Sequence, residues 1–132
     1  MINYIQGIDH VQVAAPAGCE EEARAFYGHI IGLEEIPKPE ELRKRGGCWF
    51  RCGNQEIHIG VEATFSPAKK AHPAFYVHRI DEFKKNLIEQ GIQVIDDHAR
   101  PDVIRFYVFD PFGNRLEFMR INKKLGGVPP SF

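Results

Sequence analysis

The chain has 132 residues, 43% of them hydrophobic and 27% charged, with a formal net charge of −1. That length suits one domain able to bury a core without disulfide staples, and the balanced charge excludes the one-signed field that recruits nucleic acid or an anionic membrane. No apolar run approaches the roughly 20 residues that cross a bilayer, the start Met1-Ile2-Asn3-Tyr4 lacks the regions of a secretory signal, and three cysteines without CxxC spacing read as reduced thiols of a cytoplasmic protein.

In chain order, 8–15 (IDHVQVAA) alternates as a strand, with Val11 and Val13 on one face and His10 and Gln12 on the other. Pro16 and Gly18 break it. From Glu20 the apolar Ala23, Phe26, Tyr27 and Ile30 fall at helical spacing, three acids occupy the first turn, and Gly32 is placed as the stop. A short strand over 33–36 and a polar loop with Pro37 and Pro39 follow. Two further strands, 47–52 and 55–62, are joined by a Gly53-Asn54 hairpin turn. The order then recurs. Strand 72–78 is followed by a helix that Asp81 can cap and Gly91 ends, with Phe83 and Leu87 one turn apart. Strands 92–96, 103–109 and 115–121 complete the set, the last two linked by the tight turn Asp110-Pro111-Phe112-Gly113-Asn114. The expectation is a single α+β domain over 1–132, built from two tandem βαβββ modules. Repeat one covers 5–62, repeat two covers 70–121, and a tail over 122–132 is loose from Gly126.

Four residues stand at matching places in these repeats. His10 and His58 lie on the opening and closing strands of the first, 48 residues apart; His72 and Glu117 lie on those of the second, 45 apart. In each case the neighbouring positions are aliphatic or aromatic and should pack on a helix, leaving the four on the opposite face. Three imidazoles and one carboxylate are ligands that zinc, nickel, iron, manganese or cobalt accepts. A lone histidine is more often a hydrogen-bonded structural residue, but a structural histidine has no reason to recur at both strand openings. A buried Glu117 among apolar neighbours would cost several kcal/mol unless paired or bound to a cation. His78 shares parity with His72 as second shell or cavity wall, His29 suits a helix end, and His98 reads as exposed. Pro73 lacks a ladder donor and asks for an edge or unpaired position.

Ile8-Asp9-His10-Val11, Ala25-Phe26-Tyr27 with Gly32-Leu33, His72-Pro73-Ala74-Phe75 and Phe109-Asp110-Pro111-Phe112-Gly113-Asn114-Arg115-Leu116-Glu117 together resemble the vicinal oxygen chelate superfamily, the glyoxalase and bleomycin-resistance fold. The likeness spans roughly residues 5 to 121. It implies paired βαβββ modules curved into a half-open barrel around a metal, and association as a homodimer. It also implies metal ligation at His10, His72 and Glu117, with His58 in a fourth position that carries a ligand in glyoxalase-type isomerases. Phe112 departs from the acidic residue many relatives carry in the turn. His58 replaces the first-repeat carboxylate of many isomerases, which leaves Glu117 as the one carboxylate of the set and the candidate catalytic base.

The implied activity is a lyase or isomerase acting on a small oxygenated substrate such as a hemithioacetal, through metal chelation of two adjacent oxygens. Three other readings stand beside it. His98, Phe106-Tyr107, Asp110-Pro111, Gly113 and Glu117 resemble an extradiol dioxygenase signature, apart from Asp96 at its start. Fosfomycin-type thiol transfer is less favoured by Gln12, which stands where such enzymes carry a smaller residue. A metal-free drug-binding protein would use Trp49, Tyr76 and Tyr107 as aromatic lining. Gln12, Trp49, Glu56, Tyr76 and Tyr107 are the expected substrate-cavity residues, while Arg51 and Arg105 could meet an anionic substrate there but read first as exposed strand residues.

Overall fold

The computed structural model describes residues 2–122, so the expected tail from Gly126 lies outside the described residues. The chain divides between Ser66 and Pro67 into two compact units. In the first, β1 (His10–Ala15) leads into helix α1 (Glu20–Ala23), which continues as a π-helical stretch Arg24–Ile30. β2 (Glu34–Ile36), α2 (Glu40–Arg43), β3 (Cys48–Cys52) and β4 (Gln55–Val61) follow. The second unit contains β5 (Ala74–Tyr76), α3 (Ile80–Glu89), β6 (Ile95–Asp97), β7 (Val103–Phe109) and β8 (Arg115–Ile121). Each unit forms a four-stranded sheet in the same order, β1-β4-β3-β2 and β5-β8-β7-β6. In both, the opening strand lies parallel to the closing strand and the other pairs are antiparallel. The expected βαβββ order is present twice.

Differences from the sequence reading have local causes. β1 begins at His10 rather than Ile8, whose side chain is exposed. The first helix widens to π geometry after Ala23, which lets the adjacent Phe26 and Tyr27 both be buried. The Ile31 N–H reaches back five residues to the Phe26 carbonyl at 2.8 Å. Gly32 and Gly91, with φ of +91° and +81°, end the two helical segments as expected. The polar loop after Pro39 contains the single turn α2. Asp81 is not the cap of α3: Arg79 occupies that position in left-handed conformation, φ 51°, and Asp81 lies inside the first turn, where its charge suits the helix dipole. β5 is shorter than expected because Pro73 cannot join the ladder as a donor. Its carbonyl instead accepts the Glu117 N–H at 3.1 Å, on an edge strand.

Alternation sends one face of each sheet into a core. In the first unit Val13, Ala15, Phe50, Ile57 and Ile59 are buried with Phe26 and Tyr27 of the helical segment. In the second, Phe75, Phe106 and Phe118 are buried with Ile80 and Leu87 of α3. Phe118 is the hub of an aromatic cluster, its ring centroid 5.1 Å from Phe75, 5.0 Å from Phe83 and 5.7 Å from Phe106. Burial of this kind supplies the main driving force for each unit.

The turn before β8 is held by two buried side chains. Asp110 Oδ1 accepts the N–H groups of Phe112 and Asn114, both at 2.9 Å, and Asp110 Oδ2 accepts from Asn114 Nδ2 at 2.9 Å. Asn114 Oδ1 in turn accepts the Ala68 N–H at 2.9 Å, so the turn is fastened to the segment ahead of β5. Phe112 contributes only its backbone N–H to this pattern. Burial pushes the Cys48 thiol up to about 12 and the Cys19 thiol up to about 11, so both stay protonated and inert.

Two outcomes follow. Asp110→Ala removes the acceptor of three donors, two of those bonds buried, and should lower unfolding stability by ~2–4 kcal/mol in urea denaturation. Cys19 and Cys48 should react with a thiol reagent at pH 8 only as fast as unfolding exposes them, giving rates that rise with denaturant.

Candidate functional site

The structure gathers the four singled-out residues two by two, each pair within its own unit. In the second unit, β8 places Glu117 and Met119 on the face opposite Phe118, and β7 places Arg105 and Tyr107 opposite Phe106. Tyr107 is the register partner of Glu117, and Arg105 is that of Met119. His72 lies just ahead of β5, whose Ala74 pairs with Glu117. The result is a polar, mostly buried cluster: His72 Nε2 is 2.9 Å from Glu117 Oε1, and Glu117 is 4% exposed. The Tyr107 ring stands edge-on to His72, centroids 5.4 Å apart. Arg105, with a side chain 13% exposed, lies 3.6 Å from Glu117 Oε2 and 3.3 Å from Asp97 Oδ2. It is therefore a buried ion-pair partner and not the exposed strand residue its sequence context suggested. Burial, with the Glu117 charge second, pushes the Tyr107 hydroxyl up, so it remains a phenol.

The His72 hydrogen bonds carry chemical information. Nδ1 donates to the Lys70 carbonyl at 2.7 Å, which can only accept. Nε2 therefore presents its lone pair to Glu117 Oε1, another acceptor, unless a proton or a cation lies between them. Nδ1 bonding of this kind is what orients a metal-bound imidazole. Two ligands roughly 2.0–2.2 Å from one ion stand about 3 Å apart at octahedral angles and about 3.4 Å apart at tetrahedral ones, so the observed 2.9 Å suits the octahedral case. His72 and Glu117 fit a divalent cation.

The first unit is different. His58 is 4% exposed and sandwiched, with the Trp49 ring at 3.8 Å and 3° on one side and the His10 ring at 4.0 Å and 15° on the other. Trp49 is its register partner on β3, and Gln12 is its partner on β1. His58 Nε2 donates to Glu56 Oε1 at 2.9 Å, and His10 Nδ1 donates to Asp9 Oδ2 at 2.8 Å. Stacked imidazoles hold their in-plane lone pairs nearly parallel, so the two rings do not converge on one ion in this arrangement. Among the described residues no group of three or more His, Cys, Asp or Glu is poised to hold a metal. Gln12 lies over Gly60, where an added Cβ would stand 2.6 Å from its amide carbon. Tyr76 is half exposed at 50%.

Arg115 is the residue that the sequence reading passed over. It sits two positions before Glu117 on β8, a parity signal that could have found it, and its guanidinium carbon lies 3.7 Å from the Tyr107 centroid.

The chain belongs to the Glyoxalase/Bleomycin resistance protein/Dioxygenase superfamily, whose family model matches residues 7–118. A glyoxalase family protein of solved structure from Bacillus anthracis is 82% identical, with 92% of this chain and 100% of that one covered and a TM-score of 0.91. A lactoylglutathione lyase from Agrobacterium tumefaciens is 21% identical, covering 94% of this chain and 99% of that one at a TM-score of 0.73. A genomically encoded fosfomycin resistance protein from Listeria monocytogenes is 17% identical, with 92% and 98% covered and a TM-score of 0.71. The last two likenesses concern the fold alone. A search of curated proteins finds no match. Members of the superfamily usually bind a divalent metal and act on small molecules. Among the described residues no helix is long and apolar enough to cross a membrane.

The stack makes an optical prediction. Trp49 is the single tryptophan, and contact with imidazole quenches indole emission. His58→Ala should raise Trp49 fluorescence at neutral pH; emission equal to that of the wild type would show that the rings are not in contact.

Proposed function

We propose that the chain is a metal-dependent enzyme of the vicinal oxygen chelate type, a lyase or isomerase acting on a small oxygenated substrate such as a hemithioacetal. The observation that carries this reading is the His72–Glu117 pair: two facing acceptors 2.9 Å apart that call for a cation or a proton between them. His72 and Glu117 would hold the ion in the second unit, and His10 and His58 are the corresponding imidazoles of the first. A divalent ion (zinc, nickel, iron, manganese or cobalt) supplies Lewis-acid polarisation of two neighbouring substrate oxygens when bound.

The chain's own residues do the rest. Glu117 is the base: one carboxylate oxygen takes a proton from the carbon beside the polarised oxygens and returns it to the adjacent carbon. Arg105, 3.6 Å from Oε2, holds that oxygen in place. The Lys70 carbonyl fixes the His72 ring and its tautomer. The buried phenol of Tyr107 walls the site against water without competing as a base. We infer a homodimeric, cytoplasmic protein, in keeping with its fold family and its reduced thiols.

One observation supports a second reading. His58 is occupied by Trp49, His10 and Glu56. With His58 left out of the ligand set by those contacts, two histidines and one carboxylate would remain among the four sequence candidates, the donor types of an extradiol dioxygenase.

Metal analysis and turnover test both readings. Purified chain should contain about one divalent ion, and His72→Ala should lose it. Glu117→Gln should lower turnover of the glutathione–methylglyoxal hemithioacetal by about 10²–10⁴-fold. Metal-free wild type after reconstitution, or unchanged turnover in Glu117→Gln, overturns the isomerase assignment. Oxygen uptake with catechols by the iron-loaded chain would select the second reading.

A further inference from the structure

We propose that Arg115, laid on the Tyr107 ring, is the seat for a carboxylate of the substrate. This inference rests on the preceding reading of the Glu117 face as the face that binds substrate, and it names the substrate's chemical class: a carboxylate-bearing molecule.

The charges on that sheet face are unequally satisfied. Arg105 is engaged twice, by Asp97 at 3.3 Å and by Glu117 at 3.6 Å. Even so, its Nε is buried without a hydrogen-bond partner, so donors outnumber acceptors here. Arg115 has no carboxylate within ion-pair distance among the described residues, and its one close partner is the Tyr107 ring, 3.7 Å from the guanidinium carbon. The side chain is half-buried rather than free in water.

That geometry suits anion capture. Contact with the aromatic face orders the guanidinium and removes water from one side, while leaving its planar N–H edge available. A planar fork of two N–H groups matches the two oxygens of a carboxylate, and partial desolvation strengthens the resulting pair. Parity places Arg115 on the same side of β8 as Glu117, two residues away, and Tyr107 is the register partner of Glu117. A carboxylate held at Arg115 would therefore anchor a substrate whose reacting carbons lie over Glu117. Lysine could supply the charge but neither the stacking nor the fork. The carboxylate has two possible sources: the small substrate itself, or a thiol carrier such as glutathione to which it is joined.

The test is binding to the full chain, read by calorimetry and by the NMR resonance of the Arg115 Nε–H. The probes are propanoate, S-methylglutathione and propanamide, an uncharged near-isostere of propanoate. A carboxylate probe should shift the Arg115 resonance saturably and bind wild type at least about tenfold more tightly than Arg115→Gln. Arg115→Lys should fall between the two, and propanamide should be indifferent to the change. Propanoate binding points to a carboxylate on the small substrate, and S-methylglutathione binding alone points to the carrier. Backbone amide shifts of β7 and β8 in Arg115→Lys and Arg115→Gln report whether the sheet is intact. Equal binding to wild type and Arg115→Gln, propanamide binding as well as propanoate, or no movement of the Arg115 resonance overturns the proposal. None of these readouts passes through turnover. A chain that binds carboxylates but isomerises nothing refutes the proposed reaction alone, and an active chain that ignores them refutes the subsite alone.

Discussion

In each unit the opening strand pairs in parallel with the closing one, β1 with β4 and β5 with β8, and the chemistry depends on the register of those pairs. Parallel strands cannot be joined by a tight hairpin, so the crossover must carry a helix and two further strands before the chain returns. This is what brings His72 beside Glu117, 45 residues later. A slip of one residue in β8 would turn Glu117 into the Phe75, Phe106 and Phe118 cluster and expose Leu116 and Phe118. The loss of apolar burial together with the cost of an unpaired buried carboxylate forbids that alternative. The hydrophobic core thus specifies where the polar cluster stands.

That cluster is not a self-sufficient structural network. A network built for stability would match each acceptor to a donor. Here the Lys70 carbonyl and the Glu117 carboxylate both face the His72 ring as acceptors, while Arg105 retains an unpartnered Nε. The mismatch runs in two directions: a proton or a cation is called for between His72 Nε2 and Glu117 Oε1, and the donors of Arg105 and Arg115 exceed the acceptors near them. A divalent ion and an anionic substrate would correct both. Local imperfection of this kind belongs at sites kept for ligands, because satisfying it internally would remove the capacity to bind.

Much of this was readable from residue patterns. Alternation in 55–62 and 115–121 separated His58 and Glu117 from their apolar neighbours, and the repeated order gave the βαβββ succession twice over. Other features depend on tertiary context. The π-helical stretch appears in sequence as an ordinary amphipathic helix, since Ala23, Phe26 and Ile30 satisfy that spacing; simultaneous burial of Phe26 and Tyr27 is what widens it. Arg105 looked exposed because its charge, not its parity with Tyr107, governed the reading. Its burial follows from Asp97 on β6, and a three-residue strand has too little pattern to reveal its register. The stacking of His58 between Trp49 and His10 was hidden for a similar reason. Ligand chemistry is a property of one residue, but ring stacking requires the diagonal alignment of three strands.

The two units share a topology and differ in what they do with it. At the position of Glu117 the first unit carries His58, and at the position of Tyr107 it carries Trp49, each the register partner of the other. Exchange of carboxylate for imidazole removes the charge that pairs with Arg105, and the positions matching Arg105 and Arg115 are Gly47 and Glu56. Ring stacking, together with the His58–Glu56 and His10–Asp9 hydrogen bonds, is the cohesive interaction of that face. A stacked imidazole can leave its neighbour by side-chain rotation, and His10, with a side chain 43% exposed, has room to do so. Glu117 cannot move comparably without breaking its contacts with His72 and Arg105. The duplicated frame therefore carries an ion-paired cluster in one unit and an aromatic stack in the other. Selection acting on either half alone can change ligand number or substrate charge while the paired strands that position both remain untouched.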